Sequence, residues 1–172
     1  MGFLEGKKAL VIGLASNRSI AWGVARSLKK YGAELAFNYQ GEKLESRVKT
    51  MAYELESEIA FPMDVSDDSQ IADFFSKLSN HWSNFDILIH CVAYAPADQL
   101  EGRYIESVNR TGFLMAHDIS SYSFSALAKI AKPMIENRNA ALLTLSYLGA
   151  VKALPSYNVM GLAKASLEAS TR

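Results

Sequence analysis

Tyr157 and Lys164 stand seven residues apart in the segment P-S-Y-N-V-M-G-L-A-K. Seven residues is almost two turns of α-helix, so a helical path puts phenol and ammonium on one face. A phenol ionises ordinarily near ~10, and a neighbouring ammonium favours the charged form and eases hydrogen-bond donation. Such a pair suits an oxygen on which negative charge develops during a reaction. The same spacing on an ordinary amphipathic helix gives only an exposed lysine and a half-buried tyrosine, so the surrounding residues must decide. Upstream, Leu145-Ser146-Tyr147-Leu148-Gly149 brings two further hydroxyls to the end of a strand-like run.

The elements that position these groups follow from hydrophobic periodicity. Apolar runs alternate with helix-length stretches of 3.6 period, the pattern of a parallel sheet flanked by helices. Strands are expected at 8–14, 33–39, 59–63, 87–93 and 140–145. Helices are expected at 19–31, with Ile20, Val24 and Leu28 along one side, and at 44–55. Another follows a cap at Asp67 or Asp68 and turns Ile71, Phe74, Phe75 and Leu78 inward. A long helical region runs over 105–136, interrupted near its end by Pro133, and the last helix begins near Tyr157. Continuously apolar strands imply cover on both faces. The fold class is therefore α/β, a doubly wound parallel sheet with helices on both faces, Rossmann-like, in strand order 3-2-1-4-5. Its ligand crevice would lie at the carboxyl edge between the first and fourth strands. One domain over 1–172 is expected. No stop signal closes the last helix, so a chain shortened at its C-terminus and lacking the last strands is expected.

Composition narrows the function. The chain has 172 residues, 49% hydrophobic, with 18 basic and 18 acidic side chains. That is one domain with a sizeable core, and zero net charge argues against nucleic acid. The lone Cys91 forbids an internal disulfide, suits a reducing compartment, and reads as a small core residue rather than a nucleophile. No apolar run approaches the ~18 residues of a membrane span, so no membrane insertion is expected. The start, Met1-Gly2-Phe3-Leu4-Glu5-Gly6, has neither a secretory leader nor a myristoylation motif. Cytoplasmic localisation is the expectation. His81 and His90 have no partners at ligand spacing, so no metal site is expected. His117-Asp118 lies inside a helical stretch, where adjacent side chains diverge.

The first turn, Gly13-Leu14-Ala15-Ser16-Asn17-Arg18-Ser19-Ile20-Ala21, is a loose dinucleotide fingerprint. Gly13 lets backbone approach a diphosphate, and Ser19 is placed to cap the helix and donate to a phosphate oxygen. The second strand ends in Asn38-Tyr39-Gln40. Gln40 can hydrogen-bond a ribose diol and Glu42 follows it, which prefers NADH over NADPH; Lys43 tempers that preference. Asp64 and Val65 are placed to meet adenine, and Cys91-Val92-Ala93 to lie beneath the ribose and nicotinamide. A tight turn without ligand, and a capping role for Asp64, stay open as alternatives.

Y-x6-K after a fifth strand, with a Gly-rich first turn, resembles the short-chain dehydrogenase/reductases. Finer features are Gly13, Ser19 and Ala21; the stretch His117-Asp118-Ile119-Ser120-Ser121-Tyr122-Ser123-Phe124; Leu143-Thr144-Leu145-Ser146-Tyr147-Leu148-Gly149-Ala150; and Tyr157 through Ala169. Together they resemble the bacterial NADH-dependent enoyl-acyl-carrier-protein reductases of fatty-acid elongation. The resemblance implies active-site tyrosines at Tyr147 and Tyr157 and a lysine bridging cofactor and tyrosine at Lys164. It implies cofactor contacts at Gly13, Ser19, Ile20, Gln40, Asp64, Val65 and Val92, and a substrate contact at Ala95. Cys91 stands where Ser is frequent and Ala93 where Gly is frequent, which bears on the nicotinamide pose. The implied reaction is conjugate reduction of an enoyl thioester carried on acyl carrier protein, with NADH as hydride donor. Tyr157 is assigned as donor to the enolate oxygen, Lys164 as the group on the nicotinamide ribose, and Tyr147 as a wall of the acyl pocket. The implied assembly is a homotetramer. Two other readings remain, a carbonyl or hydroxyl oxidoreductase of the same superfamily using Ser146, and an inactive nucleotide-binding fragment.

Overall fold

A computed structural model describes residues 2–172; Met1, the first residue of the start read above, lies outside them. Its central feature is a five-stranded parallel sheet in the order β3-β2-β1-β4-β5. The strands are β1 (Lys8–Ile12), β2 (Glu34–Tyr39), β3 (Ala60–Pro62), β4 (Ile87–His90) and β5 (Ala141–Thr144). Register pairs Ile12 with His90 and His90 with Thr144, which aligns the carboxyl ends of β1, β4 and β5. The doubly wound expectation holds. One detail differs at β5, an edge strand in which Leu143 is 50% exposed, so continuous apolarity did not mean cover there.

The chain divides into two compact units. Unit 1 comprises Met1–Cys91 with Ala128–Thr144, and unit 2 comprises Val92–Leu127 with Leu145–Arg172. In unit 1, helices α1 (Ile20–Lys30), α2 (Glu42–Glu54) and α3 (Asp68–Ser79) connect the strands. Leu10, Ile12, Phe37, Phe74, Phe85 and Leu88 are fully buried there. At ~25 cal/mol per Å² of apolar area, such side chains each favour folding by roughly 1.5–3 kcal/mol. On α1, Ala21 and Ala25 are buried, Val24 and Leu28 pack partly buried against the same core, and Ile20 is 65% exposed. Small alanines bring the helix close, and Ile20 at the first turn is rotated off the packed face. Asp67 caps α3, accepting from the Ser69 and Gln70 amides. Asp86 at the start of β4 is enclosed by Lys7, the Lys8 amide and Arg138.

The long helix expected over 105–136 is not one helix. It is α4 (Tyr104–Ser107), α5 (Arg110–His117), a π turn over Asp118–Tyr122, and α6 (Ser123–Ile135). Val108 in extended backbone ends α4, and the Asn109 side chain restarts the path by capping Gly112. Pro133, expected to interrupt, sits inside α6, which runs on to Ile135. So near the C-terminal end a missing amide removes one bond without breaking the helix. In unit 2, α7 (Asn158–Thr171) packs through Val159, Met160 and Ala163 on Ala116 of α5. The π turn buries Ser120 and Ser121, whose hydroxyls bond Tyr94 and Ser166.

Candidate active site

In unit 2 the stretch Leu145–Gly149, continuing from β5, is the spine on which the reactive side chains gather. Lys164 is 5% exposed, and its Nζ donates to the Leu145 carbonyl at 2.7 Å. One residue on, Ser146 Oγ donates to Glu168 Oε1 at 2.5 Å. Next, the Tyr147 ring lies 5.0 Å from the Tyr157 ring, inclined by 58°. Gly149 then makes room: a Cβ there would collide with Cδ1 of Tyr157. At Gly161 a Cβ would sit 2.7 Å from the Gly149 carbonyl oxygen, so two glycines allow the short 3-10 turn at Leu148–Ala150 and α7 to approach closely. The one-face expectation for Tyr157 and Lys164 thus gains a common platform: both meet the same five-residue stretch.

Tyr157 is also aimed by its backbone. Ser156 and Asn158 on either side have φ of 56° and 39°, the left-handed region that costs a non-glycine residue about 1–3 kcal/mol. Asn158 offsets part of that cost, because its Nδ2 donates to the Glu101 and Gly102 carbonyls, each at 3.3 Å. The phenol is pushed up from its ordinary value, first by burial and second by Tyr147. This differs from the expectation that a cation pulls it down. The Lys164 ammonium is directed at the Leu145 carbonyl, and burial dominates. At neutral pH Tyr157 is therefore a neutral phenol with a proton to donate. Beside it an open pocket of about 410 Å³ is lined by Tyr104, Val151, Leu154, Tyr157 and Leu162, a largely apolar wall with a phenol in it. Ala95 is partly buried against the cluster of Ala116, Val159 and Met160, which Tyr157 also touches.

Unit 1 carries the expected dinucleotide residues Gly13, Ser19, Ile20, Gln40, Asp64 and Val65. Gly13 has φ of 96°, which favours glycine, and its amide donates to Asn38 Oδ1 at 2.8 Å. Asn38 is 4% exposed and its Nδ2 donates to the Met63 carbonyl at 3.0 Å, stitching the ends of β1, β2 and β3 together. Ser19 does cap α1, accepting from the Trp22 amide, but its hydroxyl proton goes to the Ser16 carbonyl at 2.6 Å. Phosphate donation by that hydroxyl would require breaking this bond. No acidic residue sits in the first turn of α1, so its N-terminus keeps the positive end of its dipole unopposed. Gln40 Nε2 donates to Asp64 Oδ2 at 2.8 Å, bringing those two predicted residues together. Burial raises the Asp64 pKa, but hydrogen bonds from Ser66 and Gln40 outweigh it and hold the carboxyl below its usual range. Val65 is buried, Ile20 is exposed, and Val92 is half-buried in unit 2. Cys91 packs at the margin of the unit 1 core. A positive-φ glycine, an unopposed helix N-terminus and a Gln40–Asp64 pair fit an adenosine diphosphate.

His117, read as no part of a dyad, has Nδ1 within 2.9 Å of the Phe113 carbonyl and stacks on the Phe113 ring. Among the described residues no group of three or more His, Cys, Asp or Glu could hold a metal ion, and no helix is long and apolar enough to cross a membrane. Sequence reasoning passed over Asn38, Asn158 and Tyr104. Asn38 left a signal, an amide in an otherwise apolar strand; Asn158 and Tyr104 left none.

A family model described as Enoyl-(Acyl carrier protein) reductase matches residues 13–172. The chain belongs to the enoyl-acyl-carrier-protein reductase family. It is 58% identical over all 172 residues to the enoyl-[acyl-carrier-protein] reductase [NADH] FabI of Haemophilus influenzae, and covers 65% of that protein. The corresponding figures are 54% and 65% for the Escherichia coli FabI. The chain thus spans about two-thirds of the length of these curated relatives. Among solved structures, the NADH enoyl-[acyl-carrier-protein] reductase of Aquifex aeolicus superposes with a TM-score of 0.97 at 47% identity, over 99% of this chain and 68% of that one. The enzyme from Anaplasma phagocytophilum, solved in complex with NAD, gives 0.94 at 41% identity, over 99% and 65%.

Proposed function

We propose that this chain belongs to an NADH-dependent reductase of the trans-2 double bond of enoyl thioesters on acyl carrier protein, in fatty-acid elongation. The observation that carries the reading is the gathering of Tyr157 and Lys164 on Leu145–Gly149 beside an apolar pocket. The names of the relatives, NADH-linked enoyl reductases, support the cofactor and the substrate class. In unit 1, Gly13, the start of α1, Gln40 and Asp64 would hold the adenosine diphosphate part of the dinucleotide, with Ser19, Ile20 and Val65 alongside. In unit 2, Lys164 would hold the nicotinamide ribose, with Val92 near it.

When bound, the dinucleotide would supply hydride to the β-carbon of the enoyl group, and a proton from Tyr157 or water would complete the reduction at the α-carbon. What the protein does is hold the thioester oxygen as charge moves onto it. Tyr157, neutral at working pH, donates to that oxygen, and the donation strengthens as the enolate forms. The buried Lys164 ammonium adds positive potential along the same stretch of backbone. Tyr147 covers the Tyr157 ring, and Ala95, Tyr104 and Leu154 give the acyl chain apolar surface. Tyr147 beside Ser146 favours this over a ketone reductase, and Ser146 is already bonded to Glu168. A cytoplasmic homotetramer completes the reading; Leu114, Met115 and Tyr122, exposed in unit 2, supply apolar surface for subunit contact.

The test is NADH consumption with a crotonyl thioester set against a panel of ketones. Faster turnover of the thioester is expected. A preference for ketones would transfer the chain to carbonyl chemistry, and dinucleotide binding without any turnover would favour a nucleotide-binding fragment.

A further inference from the structure

Asn158 joins two parts of unit 2 that are remote in sequence. One is the start of α7, where Tyr157 is flanked by the left-handed residues Ser156 and Asn158. The other is the turn before α4, where Gly102 takes φ of 62°. Asn158 Nδ2 is 3.3 Å from the Glu101 carbonyl, 3.3 Å from the Gly102 carbonyl and 3.4 Å from Ser107 Oγ. Its two protons are thus shared among three acceptors that lie 51 to 57 residues away along the chain.

Tyr104 follows this turn directly and lines the same pocket as Tyr157. α4 is a single turn without a fully buried residue, so packing alone holds it weakly. Gln99 secures its far end, donating to the Ser107 carbonyl at 2.9 Å. Asn158 secures the near end. Left-handed backbone outside glycine persists only where its surroundings over-determine it, and asparagine adopts it more readily than most residues. Asn158 therefore meets two needs at once, a left-handed residue after Tyr157 and an amide that reaches the 101–102 backbone. Glycine would meet only the first. We propose that Asn158 is a positioning residue for the reaction: by pinning Glu101 and Gly102 to the start of α7, it sets the spacing between the Tyr104 wall and the Tyr157 phenol. Its amide is spent on backbone carbonyls, so it acts through the two tyrosines. This rests on the enoyl-thioester reading of unit 2.

Turnover of a crotonyl thioester, calorimetry with NADH and thermal melting test it. Asn158→Gly keeps the left-handed backbone and removes the amide. Its kcat should fall by about tenfold, the scale of a small misplacement of reacting groups, with NADH affinity unchanged. Asn158→Ala loses the amide and the easy backbone together, and its kcat should fall further. Ser121→Ala removes a different bond to the same helix, the one to Ser166 Oγ about two turns on. It should lower the thermal midpoint and leave kcat unchanged. Retained NADH binding shows that each variant is folded. Unchanged kcat in Asn158→Gly overturns the role even where Asn158→Ala is slow, because backbone alone then accounts for the loss. Equal loss of kcat in Ser121→Ala overturns it too, since any loosening of α7 would then suffice, as does a loss of NADH affinity in parallel with kcat. A wild-type protein that binds NADH and reduces no thioester overturns the reading of unit 2 and the positioning role with it.

Discussion

Unit 1 and unit 2 use their polar groups differently. In unit 1 the side chains near the carboxyl ends of the strands mostly bond one another: Asn38 to Gly13 and Met63, Gln40 to Asp64, Ser19 to Ser16. That arrangement shapes a rigid edge, and what it offers a ligand is backbone, a helix dipole and a few carboxylates and amides. In unit 2 the important groups are a phenol under burial and a lysine bonded to a carbonyl, set by close-packed glycines and by two left-handed residues. On the proposed reading, unit 1 holds the dinucleotide and unit 2 carries the reacting groups. The contrast teaches that a binding edge comes from register, which a sheet provides cheaply, whereas a proton donor needs strain and exact packing around one ring.

The sharpest way to separate the two units is Tyr157→Phe. It should lower kcat by about 10²–10³-fold, the scale of losing one oxyanion donor, with NADH affinity unchanged. Stopped-flow turnover together with calorimetry reads both, and an unaltered kcat would remove Tyr157 from the chemistry. Asn38→Ala addresses the other unit. Leaving the Gly13 amide and the Met63 carbonyl without their partner should cost about 2–3 kcal/mol in urea unfolding, with weaker NADH binding. A loss of turnover without loss of stability would contradict its role. Gly149→Ala should displace the Tyr157 ring and reduce kcat by about tenfold, or ~1.4 kcal/mol, at nearly constant NADH affinity. The smallest effect is pH-dependent. Burial raises the Asp86 pKa, but the Lys8 amide, Lys7 and Arg138 more than offset this and hold the carboxyl below its usual range. A depressed carboxylate stabilises the fold above its unfolded pKa, near ~3.9, and that contribution is lost as pH falls through the lower folded value. The thermal midpoint should therefore fall on acidification below about pH 4, and Asp86→Asn should flatten that limb.

Much of unit 1 was legible in the sequence. Continuous apolar runs locate buried parallel strands, and the order of elements then fixes the sheet order. Ser19 announced its cap by residue type; the cap of α3 was left between Asp67 and Asp68, which type alone does not separate, and Asp67 takes it. The stripe of Ile20, Val24 and Leu28 was readable from a spacing of four, and Val24 and Leu28 do pack on the core with Ala21 and Ala25; that its first member, Ile20, stays exposed was not readable from spacing. Unit 2 was harder. An unbroken apolar pattern hid the stop at Val108 and the π turn at Asp118–Tyr122, since neither removes hydrophobic residues. Tyr157 and Lys164 were readable as a pair from spacing. The direction of the phenol's shift was not, because it depends on Tyr147 and on enclosure, and neither is a property of the helix that carries it.

Lys164 is enclosed and spends a proton on a carbonyl next to the strand end. An anhydride or succinimide ester added to the folded protein would find the surface amines and pass this one over, and brief denaturation would expose it to the label. The order in which amines take up a tag thus reports, without any substrate, whether unit 2 is assembled.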